Sequence, residues 1–155
     1  MATNAAPVYG KQYIRFAETF EAAADTQAGA IGTVEIGEYR VVAAAPWAGP
    51  GACAPPNAFT TPPTEIVGVN QALIPTALSQ PYTARQASVA NSGLLLIEQD
   101  PAAPFTTADI GAPLEINGKG QATKTGTLVT MNGTAPRLRA VSVTGGRSFA
   151  TFSFT

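Results

Sequence analysis

Arg137-Leu138-Arg139-Ala140-Val141-Ser142-Val143-Thr144, then Gly145-Gly146, then Arg147-Ser148-Phe149-Ala150-Thr151-Phe152-Ser153-Phe154 is the stretch that decides the fold. Two runs with β-branched and aromatic residues flank a pair of glycines. Such a pair supplies the positive φ values that a two-residue hairpin turn demands. In the second run Ala150, Phe152 and Phe154 fall on one face. The stretch therefore predicts a β-hairpin with one buried side.

The same signals recur toward the N-terminus. Asn132-Gly133 marks a second turn, and Leu114-Glu115-Ile116 runs into Asn117-Gly118, a pair suited to a type I′ turn, before Gln121 to Thr130 continues. Leu94 to Ile97 is a candidate buried strand between Asn91-Ser92-Gly93 and the turn-rich Asp100-Pro101-Ala102-Ala103-Pro104. Turns at this spacing predict an all-β fold: a single antiparallel β-barrel or sandwich. Further upstream, Gly32 to Ile36 and Tyr39 to Val42 read as a hairpin joined across Gly37-Glu38.

Two segments do not fit a simple meander. Tyr13, Phe16, Ala17 and Phe20 recur at helical spacing, while Tyr9, Lys11, Tyr13 and Arg15 share one side of an extended chain. Residues 1–22 are thus either a short helix or an extended N-terminal arm that pairs with a neighbour. The rest, 23–155, reads as one β-rich domain carrying a long Pro-rich loop over 46–64. Pro46 to Pro63 contains six prolines together with Trp47 and Phe59, which leaves too few backbone donors for a place inside a sheet. No charged residue lies between Val41 and Thr64 or between Ile66 and Ala84. An uncharged loop of this length with two large aromatics must be covered, either by its own core or by another subunit.

Composition narrows the function. The 155 residues suffice for one domain. Charged residues make up 12% against 45% hydrophobic ones, yet no apolar run approaches the roughly 20 residues of a spanning helix. Nor does Met1 to Pro7 carry the basic and apolar segments of a secretion signal. No membrane partner is expected. Nine basic and ten acidic residues are scattered without a block, so no field favours nucleic acid. Cys53 is the single cysteine, and it reads as a small apolar filler.

The chemistry of ordinary enzymes is also missing from the pattern. There is no histidine, hence neither the usual general base nor the commonest transition-metal ligand. No serine sits in a G-x-S-x-G or S-x-x-K context. Glu35, Glu38, Glu65, Glu98 and Glu115 contain enough carboxyl groups for a glycosidase pair, but strand and turn positions explain them without catalysis. Asp25, Asp100 and Asp109 form no calcium loop. Gly118 to Thr125 has Thr123 where a phosphate loop needs glycine, with no helix pattern after it. Asn132-Gly133-Thr134 matches a glycosylation sequon, which a hairpin turn explains equally well. No catalytic residue, cofactor or metal is expected.

The segments Gly93-Leu94-Leu95-Leu96-Ile97, Phe105-Thr106-Thr107-Ala108-Asp109-Ile110-Gly111-Ala112-Pro113-Leu114 and Gly118-Lys119-Gly120-Gln121-Ala122-Thr123, with the ending Arg137 to Phe154, resemble the small β-barrel decoration proteins of tailed-phage capsids. The resemblance covers about half the chain. It implies a non-enzymatic cement protein of the virion, a homo-oligomer with a trimer favoured. Such a protein binds the major capsid protein on the outer shell between coat subunits. In that setting Tyr9, Tyr13 and Phe16 of the arm and Trp47 and Phe59 of the Pro-rich loop are the candidate contacts. Arg137 and Arg139, on one face of a strand and near Arg147, form a candidate patch for an acidic partner surface. A tail-tube or coat subunit, or a carbohydrate-binding module stacking sugars on Trp47, are the competing expectations.

Overall fold

A computed structural model describes residues 12–77 and 85–155, and among these the protein is all-β. The strands are β1 (Tyr13–Ala22), β2 (Arg40–Ala44), β3 (Ala52–Ala54), β4 (Gly68–Asn70), β5 (Gln86–Glu98), β6 (Glu115–Ile116), β7 (Thr127–Leu128), β8 (Arg137–Thr144) and β9 (Arg147–Phe154). Seven of them form a mixed sheet in the order β1-β3-β2-β4-β5-β9-β8. A further pairing of β1 with β5 bends its first five strands into an unevenly closed ring. β6 and β7 make a separate two-stranded ribbon.

β5 is the spine. Its first part pairs antiparallel with β1, from Glu21↔Gln86 to Tyr13↔Leu94, and its second part pairs with β9, from Gly93↔Phe154 to Glu98↔Phe149. Gly93 sits at the handover with φ +115°, and a Cβ there would lie 2.0 Å from the Tyr13 carbonyl oxygen. Only glycine lets β1 approach β5 so closely. The β8–β9 hairpin turns through Gly145 and Gly146, both at positive φ, as the sequence predicts. Asn132 and Gly133 likewise both adopt positive φ between the bridged residues Met131 and Thr134.

Four local expectations are corrected. The helix reading of Tyr13–Phe20 gives way to strand β1, which pairs with β5 of its own chain. The 30–42 hairpin does not form. β2 pairs with β3 and β4, whereas Ile36 bridges Ile74, because Val34 and Ile36 enter the core from a loop. The Pro-rich segment does enter the sheet. Ala52–Ala54, flanked by Pro50 and Pro55, has free amides and side chains small enough to lie between β1 and β2. Finally, the loop after β6 has its positive φ at Gly120 rather than at Asn117-Gly118, and the Asn117 Oδ1 accepts hydrogen bonds from the Lys119 and Gln121 amides.

The interior has two parts. Around β5, β8 and β9 pack Leu95, Ile97, Phe105, Leu114, Leu138, Phe152 and Phe154. Phe105 and Phe152 meet edge to face at 5.6 Å. Around β1, β2 and β3 the packing is alanine-rich, with Ala22, Ala45, Ala52, Cys53, Ala54 and Ala87 beside Val34, Val42 and Val89. Small side chains are what permit the tight ring. Burial pushes the Cys53 thiol up to about 12, against a smaller lowering by Arg85. The thiol is therefore protonated near neutral pH and acts as the filler its sequence context suggests.

Candidate functional site

β1 departs from the usual strand pattern. A strand with one buried face alternates buried and exposed residues. Here every residue from Tyr13 to Thr19 is exposed. Tyr13 is 57% exposed, Ile14 45% and Phe16 58%. Among the described residues, the outer side of β1 is paired only at Glu21 and Ala22, with β3. Register irregularities at Ile14/Phe16 and Phe16/Ala17 twist the strand, so that aromatic and aliphatic groups emerge on both faces.

Beside this strand lies an open groove of about 460 Å³, lined about equally by apolar residues (Phe16, Phe20, Ile66, Val67 and Met131) and polar ones (Glu18, Asn91, Ser92, Asn132 and Thr155). The Asn91 side-chain amide donates to the Glu18 carboxylate at 2.6 Å, which fixes one wall. An open groove that mixes apolar and polar lining groups is suited to receive an extended chain segment.

The candidate contacts of the Pro-rich loop lie elsewhere. Trp47 and Phe59 are half-buried and stack edge to face at 4.8 Å. The Trp47 indole N–H donates to the Asp25 carbonyl at 2.9 Å. Both rings pack on the alanine-rich core. The chain's own core thus covers part of this loop, while both rings stay half exposed. Tyr9 lies outside the described residues.

The three arginines separate by role. Arg137 and Arg139 are exposed on β8, Arg137 reaching the Gly111 carbonyl at 3.5 Å. Arg147 is drawn instead to Glu98, which it meets at 3.0 Å while Arg40 holds the other carboxylate oxygen at 2.6 Å. Burial by itself raises the Glu98 carboxyl, but hydrogen bonds from Arg147 and Arg40 and their charges outweigh it, leaving the carboxyl below its ordinary range. Since the folded value lies below the unfolded one, the stabilisation is complete above the unfolded value and fades as pH falls through the folded one. Glu98→Gln is thus expected to lower stability by about 1–3 kcal/mol at pH 7. The gap should begin to narrow below the ordinary glutamate value of about 4.3. Urea unfolding of both proteins at pH 7 and pH 3 checks this, and a gap that does not narrow between them contradicts it.

A second cleft, of about 480 Å³, runs between the Pro-rich loop and the β6–β7 ribbon. Its polar side chains largely satisfy one another: Asn117 bonds to Gln121 and Asp100, and Thr123 to Thr125. Sequence reasoning singled out Tyr13 and Phe16, which the structure leaves exposed, but not Ile14 or the groove. Its floor residues Ile66, Val67 and Met131 lie some 50 to 115 positions from Phe16 in the chain, and only the ring topology assembles them.

No protein-family model matches the chain, and no curated protein or solved structure matches it.

Proposed function

We propose that this chain is a non-enzymatic structural protein of a virion, a capsid decoration protein that binds the major capsid protein on the outer shell between coat subunits, as a homo-oligomer. The observation that carries the reading is β1: seven successive exposed residues including Tyr13, Ile14 and Phe16, beside an open groove of mixed lining. A protein of such low charge gains little from leaving this surface in water, and each large apolar group covered by a partner contributes about 1.5–3 kcal/mol. The groove and the exposed aromatics together offer apolar anchors with polar groups among them, which suits a contact surface. The sequence resemblance supplies the identity of the partner, and the β-rich fold agrees with it.

Co-sedimentation with purified coat shells tests the proposal. The wild-type chain should pellet with shells and raise their melting temperature. Phe16→Ser, which alters only an exposed side chain, should weaken binding at least about tenfold, or about 1.4 kcal/mol. Shells that neither retain the wild-type chain nor gain stability from it would rule the reading out.

A further inference from the structure

We infer that Asn132 is a site of spontaneous deamidation, where the free chain acquires a carboxylate on the edge of the groove, whereas Asn117, in an identical Asn-Gly pair, is protected. The pair occurs twice, at Asn117-Gly118 and Asn132-Gly133. The reaction needs an accessible amide nitrogen directly after the asparagine, and glycine, with no side chain to crowd it, offers the best one. The fold then treats the two sites differently. Asn117 is half-buried, and its carboxamide is held at both ends. Its Nδ2 donates to Gln121 Oε1 at 2.9 Å and to Asp100 Oδ2 at 3.4 Å, while its Oδ1 accepts from the Lys119 and Gln121 amides at 2.9 and 3.0 Å. Turning its Cγ toward the Gly118 nitrogen breaks these bonds. Asn132 and Gly133 are both exposed. Among the described residues nothing bonds to the Asn132 carboxamide; only its backbone N–H is engaged, donating to Glu65 Oε1 at 2.5 Å. The Gly133 amide has no backbone partner, and the space a Cβ would occupy there is open to 4 Å. Two hydrogen bonds between Met131 and Thr134 close the turn, so a local opening is enough to free it.

The Gly133 nitrogen attacks the Asn132 Cγ. The N–Cγ bond forms and the Cγ–Nδ2 bond breaks, the amide proton passing through solvent to the leaving nitrogen, so that ammonia departs and a cyclic imide remains. Solvent water then adds to one of the two imide carbonyls and opens the ring, giving aspartate or isoaspartate with no change in oxidation state. Either product adds a negative charge to a chain whose formal net charge is -1. The charge arises beside the Glu65 carboxylate, on a groove that already holds Glu18, and like charges at this range repel. Isoaspartate also inserts a methylene into the main chain between the bridged residues Met131 and Thr134. Met131 belongs both to the core and to the groove lining, so the groove changes shape as well as charge. Free chain therefore loses its contact surface with age. That consequence rests on the proposed function; the reaction itself does not.

Peptide mapping by mass spectrometry tests it on the full chain, kept folded at pH 8 in water enriched in heavy oxygen, which marks the carboxyls formed during incubation. Trypsin places the two sites on separate peptides, because Lys119 and Lys124 lie between them. In the folded chain Asn132 should convert at least about tenfold faster than Asn117, the effect of the several hydrogen bonds that Asn117 must break. In denaturing urea the two rates should converge. Equal rates in the folded chain, or an Asn132 that stays intact, overturn the inference, as does a difference that persists in urea. Asn132→Gln, whose longer side chain closes such a ring far more slowly, should remove the acidic species that anion exchange resolves in aged wild type. Their appearance at the wild-type rate in this variant also overturns the inference. Aged chain should bind coat shells at least about tenfold more weakly than fresh chain, and equal binding overturns the consequence for the groove. Fresh chain that never binds shells refutes the proposed function instead, and the peptide map still decides the deamidation.

Discussion

Replacing Arg85 with alanine is expected to destabilise the protein by about 3–5 kcal/mol, a large part of the roughly 5–15 kcal/mol by which a domain of this size is stable. Arg85 is 6% exposed and faces no carboxylate among the described residues. Its guanidinium instead donates to the carbonyl oxygens of Ala22, Ala23, Val34 and Pro75. These belong to the end of β1, the loop after it, the loop before β2 and the segment after β4. One side chain thus ties together four stretches that share no continuous strand pairing at that point. Burial lowers its pKa from the ordinary arginine value, but a guanidinium keeps its charge in proteins. Alanine would strand several buried acceptors at once, each costing about 1–3 kcal/mol. Lysine, with a point charge on a flexible stem, cannot span them either. Urea denaturation measures the loss, and an Arg85→Ala midpoint within experimental error of wild type would contradict this account of the alanine-rich core.

Gly93→Ala is expected to have the next largest effect, about 3 kcal/mol or more, and to act locally on β1. The new methyl would lie 2.0 Å from the Tyr13 carbonyl oxygen and 3.0 Å from the Arg15 amide, at a φ of +115° that L-residues rarely adopt. The β5–β9 pairing begins on the far side of the same residue, at Gly93↔Phe154. Relief should therefore come through detachment of the first half of β1. Hydrogen exchange should show the amides of Ile14 to Ala17 losing protection while those of β9 keep theirs. Uniform loss of protection across both strands, or none, would show that β1 is not held by this close approach.

How much of this could be read from the chain depends on whether a feature is written locally. The β8–β9 hairpin was legible because Gly145-Gly146 and the Ala150, Phe152, Phe154 alternation lie within eighteen residues of sequence. The helical spacing of Tyr13, Phe16, Ala17 and Phe20 misled, because β1 obeys no one-faced alternation. Its side chains are exposed on both sides, and periodicity reports burial. The strand Ala52–Ala54 was hidden by its prolines, which sit at its flanks and leave its own amides free. Trp47 and Phe59 looked like partner anchors because the loop carries no charge. Part of each ring packs on the alanine-rich core, whose segments are remote in sequence. Arg85 gave no signal at all: a lone arginine after an uncharged stretch is unremarkable until four carbonyls converge on it.

The central claim is that β1 and its groove form the working surface of the protein. Hydrogen exchange on the wild-type chain, free and bound to coat shells, tests it most directly. The account predicts that amides of Tyr13 to Thr19 and the groove residues Ile66, Val67 and Met131 gain protection on the shell. If these segments exchange at the same rate in both states while another face becomes protected, the account is wrong.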